Sequence, residues 1–156
     1  MKKLIAIMAL AGITSSLSAQ TPKETKDSIQ PNVFTTVKDA RITSIKNQAN
    51  SGTCWAYSAQ SFLEDELIRI GKGEYDLSEM FVVSHSYKDK GRKNVRLHGK
   101  LNFAQGGSFY DVLYVLKNYG AVPQAILPGL NYGTTKNQHG EMEAGLKAFL
   151  DAIVSN

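Results

Sequence analysis

A loop-forming stretch from Asn47 to Gly52 leads straight into Thr53 and Cys54, where apolar residues begin to recur at helical spacing. Gly71 is placed to end this periodic segment. The pattern predicts a helix that begins near Thr53 or Cys54 and packs its apolar stripe into the core. The stripe consists of Trp55, Ala59, Phe62, Leu63, Leu67 and Ile70.

The position of Cys54 suits a nucleophile. Unpaired backbone N–H groups and the positive end of the helix dipole favour the thiolate form of a cysteine at a helix start. Acyl transfer also needs donors aimed at the developing oxyanion, and the side-chain amide of Gln48 and the Cys54 N–H can supply them. Cys54 is the one cysteine of the sequence, so no internal disulfide can form.

Three further helices are predicted. The first runs from Ser78 to Lys88, and the charged stretch from Asp89 to Gln105 that follows it is expected to be a surface loop. Gly106-Gly107 opens the next helix, which Gly120 ends. Its apolar face consists of Phe109, Val112, Leu113, Leu116 and Tyr119.

The last helix is amphipathic and follows a loop that ends near Gln138. Either it packs on the other three helices or it has lost its partner. Two clusters of charged side chains are expected to face solvent. The first consists of Glu64, Asp65 and Glu66 beside Arg69, and the second of the basic residues from Lys88 to Arg96. The apolar residues of the last helix are Met142, Leu146, Phe149, Leu150 and Ile153.

The segment from Gln48 to Ser58 resembles the nucleophile segment of papain-like cysteine peptidases. Leu77-Ser78-Glu79, and Gly106-Gly107-Ser108 with the helix behind it, resemble later segments of that family in the same order. Ser51 stands where secreted members have a disulfide cysteine. This departure, with the ending Tyr119 to Pro123, looks more like the bleomycin hydrolase and aminopeptidase C branch.

The resemblance implies an α+β papain-like fold, of which this chain covers mainly the helical N-terminal (left) domain. It assigns Cys54 as the nucleophile, Gln48 to the oxyanion hole, and Gly106, Gly107 and Trp55 to substrate binding. The family's His and Asn follow the Cys by about 130–150 residues, which lies beyond Asn156. We therefore expect the β-rich domain that carries them to be missing. His85, His98 and His139 are interpreted as ordinary polar residues.

These features predict an exported cysteine-type peptidase of the aminopeptidase C or bleomycin hydrolase type, present here as an inactive or incomplete fragment. The alternative is a non-catalytic secreted helical binding module, and a decayed protein without function also stays open. Expected partners are a peptide or protein substrate and the missing C-terminal half, and assembly into a homo-oligomer stays open. No metal or other cofactor is expected.

The first 19 residues are typical of a signal peptide, with Lys2-Lys3, an apolar run from Leu4 to Ile13 and a cleavage site after Ala19. This predicts a periplasmic or extracellular protein with no membrane span after cleavage. A polar tail follows at residues 20–32, and the peptidase half-domain takes up residues 33–156. Loss of the leader would lower the net charge from +4 to +2, which does not favour a nucleic-acid partner.

Overall fold

The computed structural model describes residues 32–131 and 133–155. The predicted signal peptide, and the predicted tail apart from Asn32, lie outside the described residues. The chain divides into two units, Met1–Val37 and Lys38–Asn156. Residues 32–37 of the first unit are exposed and form no helix or strand.

The second unit contains four helices: α1 (Cys54–Arg69), α2 (Glu79–Arg96), α3 (Phe109–Tyr119) and α4 (Gly140–Ser155). No strand forms within the described ranges, where two isolated bridges join Asn50 to Gln138 and Leu77 to Pro123. The helical character agrees with the N-terminal part of the predicted fold, while the β-rich domain stays a prediction.

The helix boundaries follow local signals in the sequence. The Ser78 hydroxyl accepts a hydrogen bond from the Phe81 N–H at 3.0 Å and so caps α2. Ser108 and Asp111 form a capping box at the start of α3, so this helix begins after the glycine pair rather than within it. Gly120 then ends α3 as predicted, with the positive φ of 83° that glycine tolerates.

The prediction of a surface loop from Asp89 to Gln105 is wrong for its first eight residues, because α2 continues to Arg96. Lysine and arginine are good helix formers, and the added turns of α2 pack against apolar side chains of α4. A Cβ atom at Gly91 would lie 3.6 Å from Leu150 Cδ2 of α4. The predicted basic loop is thus mostly the exposed side of a helix.

The core lies between α1, α2 and α3. The predicted apolar stripe of α1 includes two residues that do not belong to the core, because Phe62 and Ile70 are each 53% exposed. On α3 the structure buries Val112 and Val115, while Phe109 is partly exposed and meets Phe62 edge-on at 5.8 Å between ring centroids. The buried cluster comprises Trp55, Ala56, Ala59, Met80, Val82, Val83, Val112 and Val115.

Helix α4 contacts α2 and no other helix among those described. Leu150 is its one buried residue, and Phe149 is 64% exposed. An open apolar groove of about 670 Å³ lies between α2 and α4. None of the helices described is long and apolar enough to cross a membrane.

Candidate active site

Cys54 is exposed at the first residue of α1. The preceding loop is held partly by its own hydrogen bonds, with the hydroxyls of Ser51 and Thr53 2.6 Å apart. It is also bonded to a later segment, because the Asn50 N–H donates to the Asn137 carbonyl at 3.1 Å. Within the described part of the chain, no hydrogen bond involves the Cys54 N–H. This N–H can therefore be offered to a reacting carbonyl oxygen.

Gln48 stabilises the same loop through two hydrogen bonds with Ser51. Its Nε2 donates to the Ser51 carbonyl at 2.7 Å, and the Ser51 hydroxyl donates to the Gln48 carbonyl at 2.8 Å. A glutamine amide carries two N–H donors, so one donor remains for a ligand. The assignment of Gln48 to an oxyanion hole stays a prediction.

Trp55 and Gly107 lie against each other beside the nucleophile. Trp55 is buried, and its Nε1 donates to the Gln105 carbonyl at 3.0 Å. A Cβ atom at Gly107 would lie 2.5 Å from Cε2 of the Trp55 ring, whereas one at Gly106 would meet nothing within 4 Å. Gly107 is thus required for a close approach of the backbone to the indole, and Gly106 is not.

Replacing Gly107 with alanine should destabilise the fold by about 1–3 kcal/mol, because the new methyl group overlaps the Trp55 ring. Gly106→Ala is the matched control and should unfold at nearly the wild-type denaturant concentration. Equal stability of the two variants in chemical denaturation would contradict the close contact at Gly107.

Lys90 supports the glycine pair from α2. Its ammonium donates to the carbonyls of Gly106 and Ala104 and lies 5.6 Å from the centroid of the Trp55 ring. Burial lowers the pKa of Lys90, and the nearby carboxylates of Asp111 and Glu143 offset part of this. The prediction that this residue is simply solvated is wrong, because backbone carbonyls that the sequence does not reveal pair with it.

Lys46, in the segment that leads to Cys54, joins two buried carboxylates and one exposed carboxylate. The Lys46 ammonium contacts Glu64 Oε1 at 2.9 Å, Glu79 Oε1 at 2.8 Å and Asp76 Oδ1 at 2.7 Å. The side chains of Glu64 and Glu79 are 0% and 1% exposed. The prediction that Glu64 lies on a solvated face is therefore wrong.

Further hydrogen bonds explain why Glu64 is buried. It accepts from the Thr43 hydroxyl at 2.8 Å and from the Leu77 N–H at 2.7 Å, which connects α1 to the segments before α1 and α2. Burial alone would lower the pKa of Lys46, but hydrogen bonds with Asp76, Glu79 and Glu64 outweigh it and raise this pKa. Burial raises the pKa of Glu79, and Lys46 offsets part of that effect.

His85 and His139 are packed against other residues, and His98 is exposed. His85 stacks on Tyr119 at 4.2 Å between ring centroids, and burial lowers the pKa of this imidazole. His139 is 8% exposed, and its backbone N–H donates to the Asn50 carbonyl at 3.1 Å. Burial also lowers the pKa of His139. His98 is exposed.

No group of three or more His, Cys, Asp or Glu side chains within residues 32–131 and 133–155 is arranged to hold a metal ion. The candidate site consists of an exposed thiol on Cys54, the hydrogen-bonded loop that precedes it, and Gly107 packed against Trp55.

Comparison of the sequence with known proteins shows which family the chain belongs to. The family model described as "Papain family cysteine protease" matches residues 30–139. Similar proteins are the "Cysteine proteinase 1, mitochondrial" of Saccharomyces cerevisiae strains YJM789, AWRI1631 and ATCC 204508 / S288c, each 26% identical over 123 residues. Each alignment covers 68% of this chain and 26% of the yeast protein.

The chain thus spans about a quarter of the length of these curated relatives. The matched residues include the nucleophile segment and the glycine pair on which the predicted resemblance depends. That resemblance is confirmed at the level of the family. The chain belongs to the papain family of cysteine proteases.

Proposed function

We propose that this chain carries the nucleophile of an exported cysteine-type peptidase of the bleomycin hydrolase or aminopeptidase C type. The observation that supports this most is the exposed thiol of Cys54 at the first residue of α1 in a papain-family chain. An exposed cysteine at a helix start has the backbone donors and dipole that a thiolate nucleophile needs.

The proposed reaction is peptide-bond hydrolysis through an acyl-enzyme. The Cys54 thiolate attacks the scissile carbonyl carbon, and the carbonyl oxygen becomes an oxyanion held by the Cys54 N–H and the Gln48 amide. Collapse of this intermediate breaks the C–N bond and leaves a thioester on Cys54. Water then attacks the thioester, releases the acid and restores the thiol.

The proton transfers require a base that takes the thiol proton and gives it to the leaving amine. We propose that an imidazole from outside these 156 residues supplies it, oriented by an Asn side chain in a second domain. The share of the yeast relatives that the chain covers, 26%, supports this division. The exposed backbone at Gly107, supported by Trp55, would then line the substrate peptide.

Export to the periplasm or the extracellular space is part of the same proposal, and the pattern of residues 1–19 supports it. Peptides or proteins in that compartment would be the substrates.

A non-catalytic binding module is the second candidate. The open apolar groove between α2 and α4 favours it, because apolar grooves of this size commonly receive a partner. Under this alternative, Cys54 would have no special reactivity.

Assays with fluorogenic aminoacyl and peptidyl substrates separate the two candidates. The protein in its natural length should hydrolyse at least one such substrate, and iodoacetamide should abolish turnover while it modifies Cys54. The 156-residue chain alone should show no turnover, because it lacks the proposed base. A natural-length, reduced protein that hydrolyses no peptide substrate would contradict the peptidase proposal and favour the binding module.

A further inference from the structure

Gln105 connects three parts of the candidate site. Its Oε1 accepts from the Gly52 N–H at 2.6 Å, and its Nε2 donates to Glu143 Oε2 of α4 at 2.6 Å. Its backbone carbonyl accepts from Trp55 Nε1 at 3.0 Å. One residue therefore contacts the loop before Cys54, the indole after it and the first turn of α4.

Glu143 determines which way the Gln105 amide points. An ionised carboxylate accepts hydrogen bonds but donates none, so the amide must turn its NH₂ group toward Glu143. The amide oxygen then faces the Gly52 N–H, which needs an acceptor. A Gln105 side chain without Glu143 could present either end to Gly52, and only one end would bond.

Gly52 can make this contact because it has no side chain. A Cβ atom at Gly52 would lie 2.9 Å from Gln105 Cβ, so any other residue would push the two segments apart. Gly52 lies between Gln48 and Cys54, the two residues proposed to hold the oxyanion. A shift of the Gly52 backbone would therefore change the distance between these two groups.

We propose that Gln105, oriented by Glu143, is a positioning residue that fixes the backbone of the nucleophile loop. Its effect on catalysis rests on the proposed peptidase function, whereas its effect on the loop does not. Within these 156 residues no disulfide can hold this loop, because Cys54 is their one cysteine. The side-chain amide thus supplies the connection between the loop and residues 104–107.

Hydrogen exchange at the Gly52 amide tests the loop directly, measured by NMR on the 156-residue chain. Gln105→Met keeps the length of the side chain but removes both side-chain hydrogen bonds, and exchange at Gly52 should become about tenfold faster. Glu143→Gln should give a smaller increase, because the amide can then turn over. Glu141→Gln, an exposed change in the same helical turn, should have no effect.

Kinetics of the natural-length protein test the positioning role. Gln105→Met should lower kcat about ten- to a hundredfold with little change in KM, because it misplaces reacting groups rather than substrate contacts. If Gln105 had a purely structural role, Gln105→Met would lower Tm but leave kcat unchanged at temperatures below the unfolding transition.

Unchanged Gly52 exchange in Gln105→Met, or unchanged kcat in an active protein, would overturn the proposal. A wild-type protein without turnover would contradict the peptidase function, while Gly52 exchange would still decide the role of Gln105 in the loop.

Discussion

Replacing Cys54 with alanine is expected to lower kcat/KM for peptide hydrolysis by the natural-length protein at least about 10⁴-fold. The thiol forms the covalent bond to the acyl group, and no other group at this position can replace it. Steady-state assays with fluorogenic peptides measure the loss. The fold should be unaffected, because Cys54 is exposed and contributes little packing.

Ser58→Ala is the matched control, because Ser58 is an exposed residue one turn along the same helix. This variant should keep nearly full activity, since the Ser58 hydroxyl that it removes donates only a long hydrogen bond, to the Trp55 carbonyl at 3.4 Å, among the described residues. Retention of most of the activity in Cys54→Ala would show that another residue carries the chemistry.

Replacing Lys46 with methionine is expected to destabilise the fold by about 3–5 kcal/mol. The change leaves the carboxylates of Glu64 and Glu79, both essentially inaccessible to solvent, without their common cation. Chemical denaturation measures the loss. Lys147→Met removes a lysine from an exposed pair with Asp151 and should cost less than about 1 kcal/mol.

The effect of Lys46→Met should depend on pH. Burial raises the pKa of Glu79, and in the variant Lys46 no longer offsets this effect. The Glu79 carboxyl should then stay protonated in the folded state at a pH where an unfolded glutamate, with a pKa of about 4.3, is ionised. The folded state then binds more protons than the unfolded state, so the free energy of unfolding rises as the pH falls. The difference from wild type should therefore shrink between about pH 8 and about pH 5. Equal stability of the variant and wild type at both pH values would contradict the buried cluster.

The sequence predicts the features of this fold that depend on local signals. The start of α1 at Cys54, the Ser78 cap of α2 and the end of α3 at Gly120 all follow from residues within one helical turn. The family resemblance likewise depends on short segments, from Gln48 onward and around Gly107, that are recognisable without tertiary contacts.

Long-range partners explain what the sequence does not predict. The carboxylate of Glu64 is buried because it meets Lys46, 18 residues away, and Lys90 is half-buried because carbonyls 14 and 16 residues away accept from it. Periodicity also assigns Phe62 to the core, although the structure leaves it half exposed. In each case the local sequence pattern predicts whether a side chain is buried, and tertiary contacts change the outcome.

Mass spectrometry of the natural-length protein during turnover of a peptide ester shows whether Cys54 forms the acyl-enzyme. Acid quenching should trap an adduct whose added mass equals the acyl group, and peptide mapping should place it on Cys54. Alkylation of Cys54 beforehand should remove the adduct. Turnover without any adduct on Cys54, or an adduct on another residue, would contradict the role of Cys54 as the peptidase nucleophile.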